Sequence, residues 1–270
     1  MAKNLLQKLK HGKIIYGTCI VSTAPIWSKS LSQSLLDYVF LDMEHIPIDR
    51  NELTMLCQVY KASGLPTIVR IPSPDPYLAC MTKDAGATGV LAPYVEDVEQ
   101  IKQMVGATKY RPLKGKRLGR VLDGTDTLEP QLKDYLKKYN EGSMCLVNIE
   151  SIPAVENLSP LLDVSGLDAV IIGPHDLSIN MGLPEQYDHP EYEKVVRNII
   201  HQVRKKGMAV GIHFPGNPER QIKWIKEGVN IVVHGSDMGL FHQKLNEDIA
   251  IIKEAVGEHT GINEIADLTI

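Results

Sequence analysis

Carboxylates and a histidine follow the apolar, β-branched runs of this 270-residue chain. The run LLDYVF is followed by Asp42, Glu44 and His45, the run LVNI by Glu150, and the run AVIIG by a turn that contains Asp176. Burying such groups without partners is costly in free energy. These residues therefore either lie at solvated strand ends without a special role or surround the mouth of a site.

Glu150 and Asp176 are the candidates for a metal site. Two carboxylates on adjacent strands suit a hard divalent cation such as Mg²⁺ or Mn²⁺, with Co²⁺ also possible. Zinc fits less well, because the cluster offers oxygen ligands without thiolates. The alternative is structural, with each carboxylate capping the start of a helix. Their occurrence together, at the ends of adjacent strands, favours a metal pair.

Arg70 and His45 could handle charge and protons in the same site. Arg70 ends the run PTIVR, where a buried cation is needed only if an anion binds; the alternative is a salt bridge to Asp42 or Glu44. His45 has acidic neighbours that could orient its ring and raise its basicity, as a general base requires. For His45 the alternative is a loop histidine without a catalytic role.

The positions of the lysines argue against a Schiff-base mechanism. A Schiff-base aldolase or decarboxylase on a barrel needs a lysine at a strand end, and none of the eight predicted strands ends in one. Electrophilic activation would then come from the metal and Arg70. This set suits enolate chemistry, in which a divalent ion chelates a 2-oxo acid, the arginine stabilises the oxyanion and a base removes or returns a proton. Backbone N–H groups of the turn GPHDLS could bind a carboxylate.

Eight β-branched runs alternate with amphipathic helical stretches and would position these residues. The predicted strands span residues 14–22, 38–44, 66–71, 89–94, 144–150, 167–173, 208–214 and 230–236. The predicted helices span residues 51–63, 76–85, 95–107, 192–206, 218–227 and 240–256. This alternation predicts an α/β fold with parallel strands, and eight units fit a closed (β/α)8 TIM barrel, whose chemistry lies at the carboxyl ends of the strands.

An open, doubly wound sheet is the structural alternative. It would be accompanied by a glycine-rich nucleotide turn, and no GxGxxG sequence follows any predicted strand. Residues 108–143 interrupt the alternation with a basic loop, KYRPLKGKRLGR, and a helical stretch, EPQLKDYLKKYNE. So long a connection is often functional or lid-like, and a solvated insertion is equally compatible with the sequence.

Bulk composition limits the partners and the location. The net charge of -4 and the pI near 6.1 argue against nucleic acid as the main partner. The N-terminus lacks the apolar core of a signal peptide, and no apolar run approaches the length of a membrane span, so we expect a soluble, cytoplasmic protein without a membrane partner. The cysteines (Cys19, Cys57, Cys80 and Cys145) are scattered without CxxC spacing, which is typical of a reducing compartment.

Six motifs together resemble one known family. They are LDMEHIPID, VRIP, KDAGATGVLAPYV, NIES, GPHDLSINMG and HGSD, within a match from about Lys13 to Leu240. The chain resembles the HpcH/HpaI family of metal-dependent, class II pyruvate aldolases, which includes 2-dehydro-3-deoxyglucarate aldolase and 4-hydroxy-2-oxoheptanedioate aldolase. The resemblance implies a single-domain barrel of the phosphoenolpyruvate/pyruvate type over residues 1–270. It also implies reversible cleavage of a 4-hydroxy-2-oxo acid to pyruvate and an aldehyde, through a metal-stabilised pyruvate enolate.

The resemblance implies roles for individual residues. Glu150 and Asp176 would hold the metal, and Arg70 would contact the pyruvyl oxygen. His45 would be the catalytic base, directly or through a metal-bound water, and would pair with Asp84 of the KDAGA segment. Pro174, His175 and Asp176 would bind the pyruvyl carboxylate. Asp42, Glu44 and Asn148 would support the residues that contact the metal or the substrate.

Three positions depart from the family pattern. A small residue is usual where His175 stands, a glutamine is common at Asn148, and the second glycine of a GxRG loop is replaced by Leu118 in RPLKGKRLG. All three are expected near the substrate, so the aldehyde partner of the reaction could be unusual.

The resemblance further implies a homohexamer built as a trimer of dimers. In that assembly the last helix, at about residues 240–257, is exchanged between subunits. The apolar face of IAIIKEAV could support the exchange, and it could equally close the barrel of its own chain.

Three other functions remain as alternatives. A lyase acting on acyl-CoA thioesters of the citramalyl- or malyl-CoA type would share the carboxylate pair and the arginine. A phosphosugar-binding barrel could use the GSD turn near residue 236, although GIHFPGNP is a poor second phosphate turn. A non-catalytic barrel could bind a 2-oxo acid, although such a protein would not need to retain His45.

Overall fold

Eight parallel strands form a closed barrel in the computed structural model, which describes residues 4–214 and 218–258. Each strand pairs with the next along the chain, and the eighth pairs with the first. The predicted (β/α)8 barrel is confirmed, and the doubly wound sheet is excluded because the sheet closes. The strands are β1 (Ile15–Ile20), β2 (Tyr38–Asp42), β3 (Thr67–Arg70), β4 (Gly89–Ala92), β5 (Met144–Ile149), β6 (Ala169–Ile172), β7 (Ala209–Phe214) and β8 (Ile231–Ser236).

Helices surround the barrel and fill its connections. None of those formed by the described residues combines the length and apolar character needed to cross a membrane. The helices are α1 (Leu5–Lys10), α2 (Trp27–Leu31), α3 (Arg50–Ala62), α4 (Pro76–Ala85), α5 (Val98–Lys109), α6 (Gly115–Leu122), α7 (Pro130–Tyr139), α8 (Ile152–Glu156), α9 (Leu158–Leu162), α10 (Pro174–Asn180), α11 (Pro190–Lys205), α12 (Pro218–Glu227) and α13 (Asp237–Ala255).

Aspartates determine where several helices begin. Asp49 and Asp97 accept hydrogen bonds from backbone N–H groups in the first turns of α3 and α5, and each forms a capping box with the residue three positions on. Because Asp97 caps α5, this helix begins at Val98 and not at the predicted residue 95. The other predicted helix limits lie within three residues of the observed ones.

The long connection between β4 and β5 does not lie where a lid would. Residues 108–143 join the end of α5 to the start of β5, at the amino-terminal end of the barrel. Much of the predicted basic loop is helix α6, whose Leu118 and Leu122 pack against α5: a Cβ added at Gly106 would lie 3.1 and 3.0 Å from these leucines. The expectation that Leu118 lies near the substrate is therefore wrong within one chain, because its leucine side chain is used to pack α6 on α5.

Large side chains between the strands and the helices hold the strand ends in place. Tyr60 of α3, Tyr192 of α11 and Trp224 of α12 are fully buried, and apolar residues that point into the barrel fill its interior. Such close-packed interiors have low compressibility. The carboxyl ends of the strands therefore have fixed positions, which determine where the polar side chains at these ends lie.

Candidate active site

A cavity of about 540 Å³ opens at the carboxyl ends of the strands. Its floor consists of apolar side chains from the barrel interior, and its walls come from strand ends and the loops that follow them. Seven of the predicted site residues line it: Asp42, His45, Arg70, Asn148, Pro174, His175 and Asp176. Two more, Glu44 and Glu150, contact residues of the lining. The strand ends therefore converge as the fold requires.

Arg70 and Asp42 form a bidentate ion pair inside this cavity. They end neighbouring strands and lie opposite each other in the β2–β3 ladder, so their side chains point to the same face of the sheet. Arg70 Nε lies 2.9 Å from Asp42 Oδ1, and Nη2 lies 2.5 Å from Oδ2. Arg70 Nη1 lies 3.0 Å from Glu44 Oε2. The salt bridge that was the structural alternative for Arg70 thus exists, and the same side chain lines the cavity.

The two carboxylates around Arg70 have opposite pKa shifts. Burial alone would raise the pKa of Asp42, but the hydrogen bonds and the positive charge of Arg70 outweigh it, and that pKa lies below its ordinary value. Burial raises the pKa of Glu44 despite the nearby charge of Arg70. The contact with Arg70 therefore stabilises the ionised form of Asp42 more than that of Glu44.

His45 lies at the rim of the cavity. Its Nε2 atom is 3.7 Å from Glu44 Oε2, and its side chain is 45% exposed. The predicted acidic neighbour is thus present, at a distance slightly too long for a hydrogen bond. A half-exposed imidazole beside a carboxylate can exchange protons with solvent and with a bound molecule.

Asp84 does not meet His45 within one chain. It lies in the last turn of α4, near the amino-terminal end of β4, and its exposed carboxylate pairs with Arg111. His45 follows β2 at the opposite end of the barrel, and the four residues of β4 alone span about 13 Å. Because each crossover helix runs back along its strand, the last turn of α4 cannot reach the rim.

Glu150 is a buried carboxylate with one unpaired oxygen. It directly follows β5 and is 1% exposed. Its Oε1 accepts a hydrogen bond of 2.8 Å from the backbone N–H of Tyr94, whereas Oε2 has no hydrogen-bond partner among the described residues. Burial, together with the negative charges of Asp176 and Glu44, raises the pKa of Glu150 to about 8. A cation bound next to this carboxyl would favour its ionised form.

Asp176 lies beside Glu150 in the first turn of α10. The hydroxyl of Tyr94 donates a hydrogen bond of 3.1 Å to its Oδ1. The N-cap of α10 is Gly173, which has no side chain to cap the first turn, and Pro174 occupies the first helical position. The alternative role of Asp176 as the cap of its own helix is not observed.

Gly173 makes room for Glu150. A Cβ at this position would lie 2.0 Å from Glu150 Oε2 and 2.9 Å from Glu150 Cβ. Any larger residue would therefore displace the carboxylate. Glycine is therefore required at this position of the GPHD motif, because Glu150, which follows the neighbouring strand β5, lies so close to it.

The oxygen donors fit a hard divalent cation better than a transition metal of the zinc type. No group of three or more His, Cys, Asp or Glu side chains in the described part of the chain converges on one point. Glu150 and Asp176 would therefore offer two ligands and leave the other positions to substrate and water, as magnesium sites in enzymes commonly do. The unpaired Oε2 atom of Glu150 is the observation that favours such a cation.

Two residues near the carboxylates were not predicted as site residues. Tyr94 follows β4 and contacts both Glu150 and Asp176; burial and the charge of Asp176 raise its pKa to about 12. Its position at the end of the predicted strand 89–94, two residues after β4 as observed, was the signal that could have revealed it. Glu185 comes from the loop after α10, lines the cavity and lies 3.5 Å from His175 Nδ1, and no sequence spacing indicates this contact.

Comparison with known proteins finds aldolases that are similar to this chain over most of its length. A 2-dehydro-3,6-dideoxy-6-sulfogluconate aldolase from Pseudomonas putida is 30% identical over 91% of this chain and 95% of its own. A 2-keto-3-deoxy-L-rhamnonate aldolase from Salmonella gallinarum is 30% identical over 91% of both chains. A crystal structure of an HpcH/HpaI aldolase from Desulfitobacterium hafniense superposes with a TM-score of 0.80 at 25% identity, covering 96% of this chain and 98% of that one.

The fold and the site define an enzyme of the carbon–carbon lyase class built on a (β/α)8 barrel. The sequence profile of the HpcH/HpaI aldolase/citrate lyase family matches residues 17–243. The chain belongs to this family, as the six sequence motifs predicted.

Proposed function

We propose that this enzyme is a divalent-metal-dependent aldolase that reversibly cleaves a 4-hydroxy-2-oxo acid into pyruvate and an aldehyde. The observation that carries the proposal is Glu150, a buried carboxylate with one oxygen unpaired among the described residues, which lies against Gly173 in the wall of the cavity that Asp176 and Arg70 line. The aldolases among its relatives support the same reaction class.

Glu150 and Asp176 would hold the metal, which we expect to be Mg²⁺ or Mn²⁺, with Co²⁺ as a substitute. When bound, the cation polarises the carbonyl of the 2-oxo acid and stabilises the negative charge of the pyruvate enolate. The raised pKa of Glu150 fits this role, because a nearby cation favours the ionised form of a carboxyl that otherwise tends to be protonated.

Arg70 would stabilise the oxyanion of the substrate. Its guanidinium is already oriented by Asp42 and Glu44, so little reorganisation is needed when an anion arrives. The carboxylate of the substrate would bind at the first turn of α10, at Pro174, His175 and Asp176, because no side chain caps that turn.

His45 would move the proton. In the cleavage direction it would accept the proton of the 4-hydroxyl group as the bond between C3 and C4 breaks, and in the same cycle C3 of the enolate is protonated to give pyruvate. Its position on the cavity rim, beside Glu44, supports this assignment. Asn148 supports the substrate side: it is buried, lines the cavity, and its Oδ1 lacks a hydrogen-bond partner among the described residues.

The pairing of His45 with Asp84 would join two copies of the chain. Within one copy the two residues lie at opposite ends of the barrel, whereas Asp84 is 68% exposed and available to a neighbouring subunit. The active site would then be complete only in the oligomer. This arrangement agrees with the homohexamer that the family resemblance implies.

Helix α13 would provide a subunit contact. Five of its apolar side chains and that of the C-cap residue Val256 form an exposed stripe at helical spacing, and in this helix only Asp237 is buried. The members of the stripe are Met238, Phe241, Leu245, Ile249, Ile252 and Val256. We propose that this stripe packs on a second copy, as the expected exchange of residues 240–257 requires. Leu245→Asp should lower the mass measured by analytical ultracentrifugation, and an unchanged mass would remove α13 from the interface.

The other candidate functions have weaker support. A phosphate at the GSD turn would compete with the protein itself, because Asp237 already accepts the backbone N–H groups of Val21 and Ser22, and Ser236 caps α13. A thioester lyase shares the site residues, and the family includes citrate lyases. A non-catalytic 2-oxo-acid-binding barrel would leave the rim position of His45 without a role. We also expect the enzyme in the reducing cytoplasm, since all four cysteines are free.

Direct assays with both classes of substrate test the proposal. The metal-loaded enzyme should release pyruvate from 4-hydroxy-2-oxo acids, measured through lactate dehydrogenase, and should not release a CoA thioester from citramalyl-CoA. Glu150→Ala and Asp176→Ala should abolish pyruvate release while the melting temperature of the metal-free protein stays within a few degrees of wild type. Full turnover in both variants would refute the aldolase assignment. So would an enzyme that cleaves citramalyl-CoA and none of the 4-hydroxy-2-oxo acids.

A further inference from the structure

Tyr94 touches both of the carboxylates that would hold the metal, and it uses a different group for each. Its backbone N–H donates to Glu150 Oε1 at 2.8 Å, and its side-chain hydroxyl donates to Asp176 Oδ1 at 3.1 Å. One residue thus connects the end of β5 with the first turn of α10. One oxygen of each carboxylate is thereby engaged, and Glu150 Oε2 has no hydrogen-bond partner in the described part of the chain.

The backbone of Tyr94 is held in an unfavourable conformation. Its φ angle is +46°, in the left-handed region, which is sterically unfavourable for a residue with a Cβ. Such conformations persist only where the surroundings impose them, and they cluster at functional sites.

The loop after β4 is also hydrogen-bonded to the segment after β5, through a residue that follows Tyr94 in the chain. Ser151 donates a hydrogen bond of 2.6 Å to Glu96 Oε1, and Asn157 donates one of 3.0 Å to the carbonyl of Glu96. These bonds anchor the residue two positions after Tyr94 to the element that carries Glu150. The N–H and the hydroxyl of Tyr94 are therefore aimed by a supported loop and not by a free one.

We propose that Tyr94 is a positioning residue that fixes the relative orientation of Glu150 and Asp176 for the divalent cation. This inference rests on the proposed function, because it assumes that these two carboxylates are the ligands. Tyr94 does not line the cavity within the described part of the chain, so its hydroxyl acts through the carboxylates and not on the substrate. Hydrogen bonds of this kind to ligating carboxylates commonly change metal affinity.

Tyr94→Phe isolates the hydroxyl, since the ring and the backbone N–H are kept. The test measures Mn²⁺ binding to the metal-free, full-length protein by electron paramagnetic resonance, which requires no substrate or turnover. Tyr94→Phe should bind Mn²⁺ about 10–100-fold more weakly than wild type. Its melting temperature without metal should stay the same, because the side chain is 41% exposed.

Tyr77→Phe is the matched control. Tyr77 lies in the first turn of α4 on the same side of the barrel, is 62% exposed, and its hydroxyl contacts Arg50 at 3.4 Å. This variant should bind Mn²⁺ as wild type does. Equal losses in Tyr77→Phe and Tyr94→Phe would mean that the effect is not specific to Tyr94, and would overturn the proposal.

Turnover gives a second measurement that separates positioning from a general structural role. In Tyr94→Phe the Mn²⁺ concentration needed for half-maximal activity should rise by the same factor as the dissociation constant, while kcat at saturating Mn²⁺ should stay close to wild type. Tyr94→Gly keeps the N–H but removes the hydroxyl and relieves the left-handed conformation, and its affinity loss should be at least as large.

The outcomes separate this inference from the proposed function. If wild type binds Mn²⁺, Glu150→Gln abolishes binding and Tyr94→Phe binds as wild type, Tyr94 has no positioning role and the metal assignment stands. If wild type does not bind Mn²⁺, or if Glu150→Gln binds it equally well, both the metal assignment and the role of Tyr94 are wrong.

Discussion

Arg70 is oriented by two carboxylates before any substrate binds. Its Nε and Nη2 groups face the two oxygens of Asp42, and Nη1 faces Glu44. A lysine carries the same charge but cannot make this planar, two-pronged contact. The position of the cation in the cavity therefore depends on the shape of the guanidinium and not only on its charge.

Replacing this arginine by lysine should be severe. Arg70→Lys is expected to lower kcat/KM for pyruvate release by about 10²–10³-fold, the usual cost of losing one oriented donor to an oxyanion. Arg50→Lys is the control, because Arg50 begins α3 and stacks on Tyr77 outside the cavity. Activity of Arg70→Lys within a factor of two or three of wild type would assign Arg70 a structural role.

We expect His213 to make the stability of the barrel sensitive to acid. It belongs to β7 and lines the cavity, where burial, and then the positive charge of Arg70, lower its pKa from 6.5 to about 4. Between these two values the unfolded chain binds a proton that the native state does not. The contribution of His213 to stability is thus complete above pH 6.5 and is lost as the pH falls toward 4.

Urea unfolding at a series of pH values tests this linkage. Acidification from pH 7 to pH 4 should cost the wild type about 3 kcal/mol more than it costs His213→Gln, at 1.36 kcal/mol per pKa unit. His201→Gln, on the exposed surface of α11, should keep the pH dependence of the wild type. Parallel curves for wild type and His213→Gln would show that this histidine is not held neutral.

At the scale of elements, the contact between the ends of β5 and β6 decides whether Glu150 can reach its position. The carboxylate lies against the backbone of Gly173, where an added Cβ would be 2.0 Å from Oε2. Backbone and side chain cannot both stay in place if that methyl group is present. The spacing between two strand ends thus limits one residue to glycine.

Gly173→Ala should therefore act on the metal site without a large effect on the fold. Displacement of Glu150 should weaken Mn²⁺ binding by about 10–100-fold and destabilise the protein by about 1–3 kcal/mol through overpacking. Gly119→Ala in α6 is the matched control, because nothing lies within 4 Å of its added Cβ. Unchanged Mn²⁺ affinity in Gly173→Ala would mean that Glu150 does not bind the cation from this position.

The element scale also shows which parts of the site the sequence could predict. Asp42, Arg70 and Glu150 were predictable because each directly follows or ends an apolar strand, and parallel strands bring their carboxyl ends to one side. Glu185 was not predictable, because its contact with His175 depends on the path of the loop after α10. The helical character of residues 115–122 was missed because it arises from packing on Gly106 of α5.

At the scale of the whole molecule, one chain forms the barrel but does not bring together the proposed pair of His45 and Asp84. Alternation and strand number were sufficient to predict the closed barrel, because few topologies accommodate eight such units. Asp84 was predicted as the partner of His45 from a motif, and a motif does not reveal at which end of the barrel a helix terminates. The exposed stripe on α13 and the distance of Asp84 from His45 are the two observations that support the proposed contact with a neighbouring subunit.

Subunit mixing tests whether the site is shared. His45→Ala and Asp84→Ala should each be nearly inactive alone. Hetero-oligomers formed by co-expression should regain activity, since about a quarter of the sites would combine an intact His45 with an intact Asp84 of a neighbour in a symmetric assembly. Hetero-oligomers that remain as inactive as the single variants would show that the two residues do not meet across an interface.

Proton exchange at the methyl group of pyruvate tests the central claim most directly, because it requires the enolate but no aldehyde. In D₂O the enzyme with Mg²⁺ or Mn²⁺ should remove the methyl signal of pyruvate, followed by ¹H NMR, much faster than the metal in buffer alone. Chelation or Glu150→Gln should stop the exchange, and His45→Ala should slow it by about 10²–10⁴-fold. Exchange that continues at the same rate after chelation and in Glu150→Gln would contradict an enolate stabilised by a metal at these carboxylates.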